Sequence, residues 1–200
     1  MKKLLSLSLA LLIVVLSLTA CDSYKNKEFY GIVIGSYKDY ISVTTLDENV
    51  DFYDANIVVN VSSLDFKVKN GQILKIVIDR RGKDDFGSVQ ITPQSVKLYE
   101  NQPKTITVDE AYDLINSATF VDARSRDEFN LGHIENAVCL TYKTMEKNYK
   151  KALPNKEAKI IVYAGSKETA QLTASHLTAF GYKNVYCMGD IDNYEFNLVV

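Results

Sequence analysis

The sequence is poor in the residues that define several common classes of protein. Only three cysteines and two histidines occur in 200 residues, which excludes a disulfide-framed secreted scaffold, and we expect neither a metal nor a cofactor. A net charge of −2 argues against a nucleic-acid partner, because nucleic-acid-binding domains carry a basic excess. Hydrophobic residues make up 46% and charged residues 24%, which is ordinary globular composition and argues against disorder, collagen-like sequence and coiled coil.

The first twenty residues differ from the rest of the chain. Lys2 and Lys3 precede an apolar run that continues to Ala20. A basic start, a short apolar stretch and small residues at its end are typical of a secretory signal. The run is also at the lower limit for crossing about 30 Å of hydrocarbon. We therefore expect residues 1–20 to be a signal peptide.

The end of this run, Leu18-Thr19-Ala20-Cys21, resembles the lipobox of bacterial lipoproteins. The resemblance implies that Cys21 carries diacylglycerol on its sulfur, that the chain is cut before it, and that the new amine can receive a further acyl chain such as palmitate. Two or more chains hold a protein stably at a bilayer. We therefore expect a lipid-anchored, extracytoplasmic protein of the bacterial cell membrane, with residues 21–27 as a polar tether. A plain signal peptide with a chance cysteine and an uncleaved anchor are the alternatives.

Residues 28–100 predict a small all-β domain. Five segments are rich in β-branched and aromatic residues and alternate with turn signals: 29–34, 40–45, 56–61, 72–79 and 88–98. The pair Asn70-Gly71 predicts a hairpin leading into the fourth segment. We expect a closed barrel, similar in architecture to the OB type, because an open sheet would leave aggregation-prone edges. Four aromatic residues, Tyr30, Tyr37, Tyr40 and Phe52, are assigned to packing in the core or at the rim, since the block lacks the basic excess of a nucleic-acid stacking face.

Residues 105–200 follow a linker at 100–104 and predict alternating helices and strands. Thr107 and Glu110 form a capping-box pattern at the first helix, and Gly181 is the expected C′ residue of the last helix. Strands are predicted at 118–122, 137–140, 159–163 and 184–188, with helices at 107–116, 126–131, 142–151 and 168–180. This alternation predicts an α/β domain, a parallel sheet with helices on both faces.

Three blocks of this region resemble the rhodanese family, in the right order and spacing. They are Phe120-Val121-Asp122-Ala123-Arg124 with Glu128-Phe129 and Gly132-His133-Ile134-Glu135-Asn136-Ala137, then Ile160-Ile161-Val162-Tyr163, then Gly181-Tyr182-Lys183-Asn184-Val185-Tyr186 followed by Gly189. The resemblance implies a rhodanese-like domain over residues 105–200. It also implies that Asp122 and His133 tie loops together.

The resemblance further implies where the family's chemistry lies. In active members the residue after the second block is a cysteine that carries a persulfide, cradled by a loop of converging N–H groups and a helix N-terminus that favour the thiolate. The corresponding loop here is Ala164-Gly165-Ser166-Lys167-Glu168-Thr169, with alanine as the first residue and Lys167 in place of the usual glycine. The implied function is a non-catalytic module that binds a protein of the cell envelope, or a small anion held by this loop and Arg124.

Two alternatives stay open at this point. One is a sulfurtransferase that uses Cys187, expected near the mouth of the loop, or the thiol of a partner. The other is a purely structural spacer. In a rhodanese-like sheet Cys139 and Cys187 lie about three strand spacings apart, roughly 14 Å. Because a disulfide needs Cα atoms within about 7 Å, we expect two unpaired thiols.

Overall fold

A computed structural model describes residues 23–47, 50–52, 55–83, 87–191 and 198–200. Cys21 and the rest of the lipobox therefore lie outside the described residues. The chain divides into two compact units, one formed by residues up to 70 with 74–98 and the other by 71–73 with 99–200. In the part of the chain that the structure describes, no helix has the length and apolar character needed to cross a membrane.

The first unit is a closed barrel of five strands. They are β1 (Glu28–Ser36), β2 (Tyr40–Thr44), β3 (Ile57–Asn60), β4 (Ile73–Lys83) and β5 (Val89–Leu98). Their order is β1-β2-β3-β5-β4, with β3 and β5 parallel and β1–β2, β2–β3 and β4–β5 antiparallel. Every second residue of β2 and β3 points inward, as Ile41, Val43, Ile57 and Val59 do. The prediction of an all-β domain is confirmed.

The predicted hairpin at Asn70-Gly71 was wrong. The chain does turn there, and Gly71 has a φ of +83°, which glycine adopts readily. However, β3 and β4 are not neighbours, because β5 lies between them in the barrel. The dipeptide Asn70-Gly71 indicates that the chain turns, whereas the strands that pair are determined by the closure of the barrel.

Residues 23–27 are fastened to the barrel. The backbone N–H of Asn26 donates to the carbonyl of Ile78, and the N–H of Ile78 donates to the carbonyl of Lys27, both at 2.8 Å. The guanidinium of Arg81 lies 4.5 Å from the ring centroid of Tyr24, a cation–π distance. The hydroxyl of Tyr24 also donates to Asp51. The segment therefore continues the barrel up to its first described residues.

The second unit contains the remaining elements. They are β6 (Lys104–Thr105), α1 (Val108–Tyr112), β7 (Thr119–Asp122), α2 (Arg126–Leu131), β8 (His133–Ile134), β9 (Val138–Cys139), α3 (Tyr142–Ala152), β10 (Lys159–Ala164), α4 (Lys167–Ala179), β11 (Asn184–Asp190) and β12 (Leu198–Val199). A parallel sheet has the order β6-β11-β10-β7-β9. β12 and β8 form a separate antiparallel pair. The predicted α/β architecture with a parallel sheet is confirmed.

Local signals explain several of these boundaries. The predicted capping box is present at α1, where the N–H of Glu110 donates to Thr107 Oγ1 and the N–H of Thr107 donates to Glu110 Oε2. α4 ends where Gly181 takes a φ of +89°, as expected of a C′ glycine. The predicted linker at 100–104 extends one residue too far. Lys104 belongs to β6, because it pairs with a residue of β11.

The sheet separates the two described cysteines. Cys187 lies on β11 and Cys139 on β9, with β10 and β7 between them. Both are free thiols. The prediction that this strand order keeps them unpaired is confirmed.

Candidate functional site

The candidate site lies at the carboxyl ends of β7 and β10. These strands are parallel neighbours, and Asp122 is paired in register with Tyr163. Ligands bind at such strand ends in open parallel sheets. Ala164, the last residue of β10, is completely buried, and its carbonyl accepts a hydrogen bond from the N–H of Ile191 at 3.0 Å. The methyl group of Ala164 therefore faces protein at the position where the loop begins.

The loop is shorter than the sequence suggested. Only Gly165 and Ser166 separate β10 from α4, so Lys167, Glu168 and Thr169 form the first turn of the helix. Ser166 is its N-cap: the side-chain oxygen accepts from the N–H of Thr169 at 3.2 Å, and the carbonyl accepts from the N–H of Ala170 at 3.1 Å. Serine is a favoured N-cap, and here it occupies donors that an anion could otherwise use.

Arg124 is held in a buried ion pair. Its Nη2 lies 2.6 Å from Oδ2 of Asp122, with the two side chains 9% and 0% exposed, and its Nε donates to both carboxylate oxygens at 3.1 Å. Nη2 also donates to the carbonyl of Gly132 at 2.6 Å. The hydrogen bonds to Asp122 raise the pKa of Arg124 above its ordinary value. Nε and Nη2 of the guanidinium are thus engaged by the protein itself.

Two further side chains fix the segment that carries Gly132. The hydroxyl of Tyr163 accepts from the N–H of Ile134 at 3.2 Å, and burial raises the pKa of Tyr163 well above its ordinary value. Nδ1 of His133 lies 3.0 Å from the carbonyl of Phe129, and the two rings stack with centroids 3.7 Å apart. The hydrogen bonds of Asp122 and His133 are local, to Arg124 and to Phe129 respectively, and it is Arg124 that carries the connection on to Gly132.

A shallow cavity of about 300 Å³ opens between the two strand ends. The residues that line it are Ala123, Arg124, Ser125, Glu128, Gly165, Ser166 and Thr169. Glu128 accepts hydrogen bonds from the hydroxyl and the N–H of Ser125, and these lower the pKa of its carboxyl group. An ionised carboxylate therefore lies beside Arg124 and the loop that were predicted to bind an anion.

Ser125 and Glu128 were missed as site residues by sequence reasoning. They form the capping box of α2, with Ser125 as N-cap and Glu128 three residues later. The S-x-x-E spacing of such a box is visible in the sequence and could have placed the start of α2. It could not have shown that the box borders the cavity, because that depends on the pairing of β7 with β10.

Neither described thiol belongs to the loop. Cys187 is paired in register with Val162, two residues before Ala164. It is 3% exposed, and burial raises its pKa to about 11, although the N–H of Gly189 and the charge of Lys167 act in the opposite direction. Cys139 lies beside Asp122, and burial raises its pKa too. Both side chains are therefore thiols at neutral pH and poor nucleophiles.

The comparisons with known proteins agree with this fold. Residues 107–195 match the rhodanese-like domain family. The chain is 33% identical over 103 residues to the uncharacterized protein YibN of Escherichia coli K12, covering 50% of this chain and 72% of that protein. It is 32% identical over 87 residues to the thiosulfate sulfurtransferase GlpE of Coxiella burnetii RSA 493, covering 42% of this chain and 79% of that one. The chain therefore belongs to the rhodanese-like domain family.

Other similarities are more partial. A glutamyl-tRNA reductase of Thermodesulfovibrio yellowstonii is 31% identical over 160 residues, which is 79% of this chain but 32% of that protein, so the chain spans about a third of this relative. Among solved structures, a rhodanese-related protein of Thermoplasma volcanium is 20% identical with a TM-score of 0.42, over 48% of this chain and 97% of that one.

Proposed function

We propose that this protein is a rhodanese-like binding module that lacks the persulfide chemistry of active family members. The observation that carries the proposal is the residue after Tyr163. Family resemblance assigns the nucleophilic cysteine to this position, and the residue here is Ala164. Covalent catalysis needs a side chain that can form the intermediate, and a methyl group can neither attack a sulfur donor nor carry a persulfide.

The sulfurtransferase alternative needs another thiol at the same place. Cys187 does not meet that requirement, because it is buried within β11 and has a pKa of about 11. Cys139 is partly exposed, but burial raises its pKa as well. A thiolate cradled by loop N–H groups has a lowered pKa, so both cysteines have the opposite environment.

The geometry favours a protein partner over a small anion. An anion in the cavity would be repelled by the carboxylate of Glu128. In addition, the side chain of Ser166 already accepts from the N–H of Thr169 in α4, and Arg124 is already paired with Asp122. These contacts leave a bare anion fewer donors at this site than the sequence suggested. An extended protein surface can instead pair its own donors with Glu128 and contact the rim of the cavity.

The proposal includes anchoring to the outer face of the bacterial cell membrane through lipid on Cys21. It rests on the lipobox of residues 18–21 after a run of signal-peptide length. Because Tyr24 is already fastened to the barrel, three residue steps link Cys21 to folded protein, at most about 10 Å of extended chain. The barrel would therefore stand close to the bilayer. We further assign it to the OB type, supported by five strands in which β3 and β5 are neighbours.

Thiosulfate-to-cyanide sulfur transfer by the full chain in mild detergent tests the central part of this proposal. We expect thiocyanate formation at the level of the protein-free control, unchanged in Cys187→Ser. Thiocyanate well above background that disappears in Cys187→Ser would instead support the sulfurtransferase alternative.

Crosslinking in intact cells tests the partner. A photoreactive residue placed at Gly165, an exposed residue that lines the cavity and leaves Glu128 in place, should capture another polypeptide, whereas one placed at the exposed Glu157 serves as the matched control. Equal capture at both positions, or none at Gly165, would contradict a docking role for the cavity. Mass spectrometry of the mature N-terminus tests the anchor, and an unmodified Cys21 would contradict it.

A further inference from the structure

We propose that the outer face of the barrel, across β2, β3 and β5, binds a carbohydrate chain. The inference goes beyond the proposed function and starts from two exposed aromatic side chains. Tyr37 and Tyr40 are 54% and 43% exposed, yet their rings stack with centroids 4.6 Å apart and planes 21° apart. Assigning this pair to packing alone leaves two large rings in water, beside a cavity.

The ring pair is held in place before any ligand arrives. The N–H of Tyr37 donates to the carbonyl of Tyr40 at 3.0 Å, closing the turn between β1 and β2. A Cβ at Gly35 would lie 3.2 Å from Cε2 of Tyr37, so glycine leaves room for the ring above β1. A preorganised platform of this kind loses little freedom when a ligand stacks on it.

Neutral hydrogen-bonding side chains continue the surface beside Tyr40. In the strand register Tyr40 is opposite Asn60 and Val58 is opposite Gln90. A cavity of about 440 Å³ opens over these strands and is lined by Asp39, Tyr40, Val58, Asn60, Gln90, Ile91 and Thr92. This volume falls within the ~300–1,000 Å³ of small-molecule sites. Oδ1 of Asn60 accepts from the N–H and hydroxyl of Ser62, which fixes the amide and leaves its NH₂ group as a donor.

This combination of stacked aromatic rings and neutral hydrogen-bonding side chains fits a sugar chain better than other polymers. A sugar ring has an apolar C–H face that can stack on an aromatic ring and a rim of hydroxyls that can bond to amides and carboxylates. Among the lining residues named above, the one with a formal charge is Asp39, whose carboxylate accepts from hydroxyls but repels phosphates. A peptide strand would need a free sheet edge, and β2, β3 and β5 each have neighbours on both sides in the closed barrel.

Affinity electrophoresis of the full chain in mild detergent tests the proposal. Gels containing hydroxyethylcellulose or glycol chitin are the carbohydrate probes, and free oligo-deoxythymidine is the nucleic-acid probe. We expect at least one polysaccharide to retard the protein and the oligonucleotide to leave its mobility unchanged. Tyr37→Ala and Tyr40→Ala should each weaken retardation by about threefold to tenfold, while Tyr40→Phe keeps it.

Tyr112→Ala is the matched control, because Tyr112 is a 51% exposed tyrosine of the second unit, and it should behave as the unmodified protein. Circular dichroism establishes that each variant keeps its fold, as expected for exposed side chains. The proposal is overturned if neither polysaccharide retards the protein, if Tyr40→Ala is retarded as strongly as the unmodified chain, or if the oligonucleotide binds instead.

Discussion

The two units differ in the kinds of side chain that they bury. The core cluster of the barrel consists of apolar side chains such as Phe29, Ile57 and Ile76. The rhodanese-like unit also buries Asp122 and His176, the first within an ion pair and the second among aromatic rings. Because buried ionisable groups make stability depend strongly on pH and on their partners, we expect the larger part of this sensitivity in the second unit.

The largest expected effect is acid destabilisation through His176. The ring is completely buried on α4 beside Tyr142 and Phe180. Its Nε2 has no hydrogen-bond partner among the described residues, and burial lowers its pKa from 6.5 to about 3. Between these values the unfolded chain binds the proton and the folded one does not. The free energy of unfolding of this unit therefore decreases as the pH falls from 6.5 towards 3, by about 4–5 kcal/mol in total.

Hydrogen exchange followed by mass spectrometry can resolve this loss by unit. Peptides of β10 and α4 should lose protection between pH 6.5 and 4, after correction for intrinsic exchange, while barrel peptides keep theirs. His176→Phe should flatten the dependence in the second unit. Equal loss of protection in both units, or a pH dependence that survives in His176→Phe, would contradict the expected difference between the units.

The next largest effect concerns the buried ion pair. Arg124→Met leaves the Asp122 carboxylate buried without its partner, which should cost about 3–5 kcal/mol in the free energy of unfolding. The matched change in the barrel is Lys75→Met, which removes an exposed pair with Glu28 whose side chains are 39% and 54% accessible. Urea denaturation should show no measurable effect for Lys75→Met. Similar losses in the two variants would contradict the distinction.

Truncation of the barrel core should be costly but independent of pH. Ile76 is completely buried among apolar side chains, so Ile76→Ala should cost about 2–5 kcal/mol through lost transfer energy and a residual cavity. Urea denaturation at pH 7 and pH 4.5 should give the same difference between variant and unmodified protein. A difference that changes with pH would place an ionisable group in the barrel core.

The smallest predicted effect concerns the cap beside the cavity. Ser125→Ala removes the side-chain acceptor from the first turn of α2 and should cost about 1 kcal/mol. Thr141, the N-cap of α3, makes no capping hydrogen bond with its side chain, so Thr141→Ala should cost less. The thermal midpoint of Ser125→Ala should therefore lie below that of Thr141→Ala. The reverse order would show that the cap of α2 does not stabilise this unit as predicted.

The sequence predicted those features that depend on local pattern. Thr107 and Glu110 are three residues apart on one chain segment, so their capping box could be recognised before folding. The β-branched stretches likewise marked five barrel strands and the buried strand that ends at Ala164. A hydrogen bond or a periodicity within a few residues needs no knowledge of the tertiary fold.

Features that depend on distant partners could not be predicted in this way. Asn70-Gly71 marked a turn, but barrel closure placed β5 beside β3. Lys104 had the composition of a linker and became a strand because β11 offered it a partner. The stacked Tyr37 and Tyr40 were separated from their neutral neighbours Asn60 and Gln90 in the sequence, and only the strand register placed them on one surface.

Mass spectrometry of peptides can detect directly whether the folded protein forms a persulfide. The full chain is incubated with thiosulfate, alkylated without reduction, and mapped at the peptides that contain Cys139 and Cys187. We expect neither peptide to gain a sulfur atom, because position 164 is alanine and burial raises the pKa of both thiols. A persulfide on either cysteine, formed in the folded protein and consumed on adding cyanide, would contradict it.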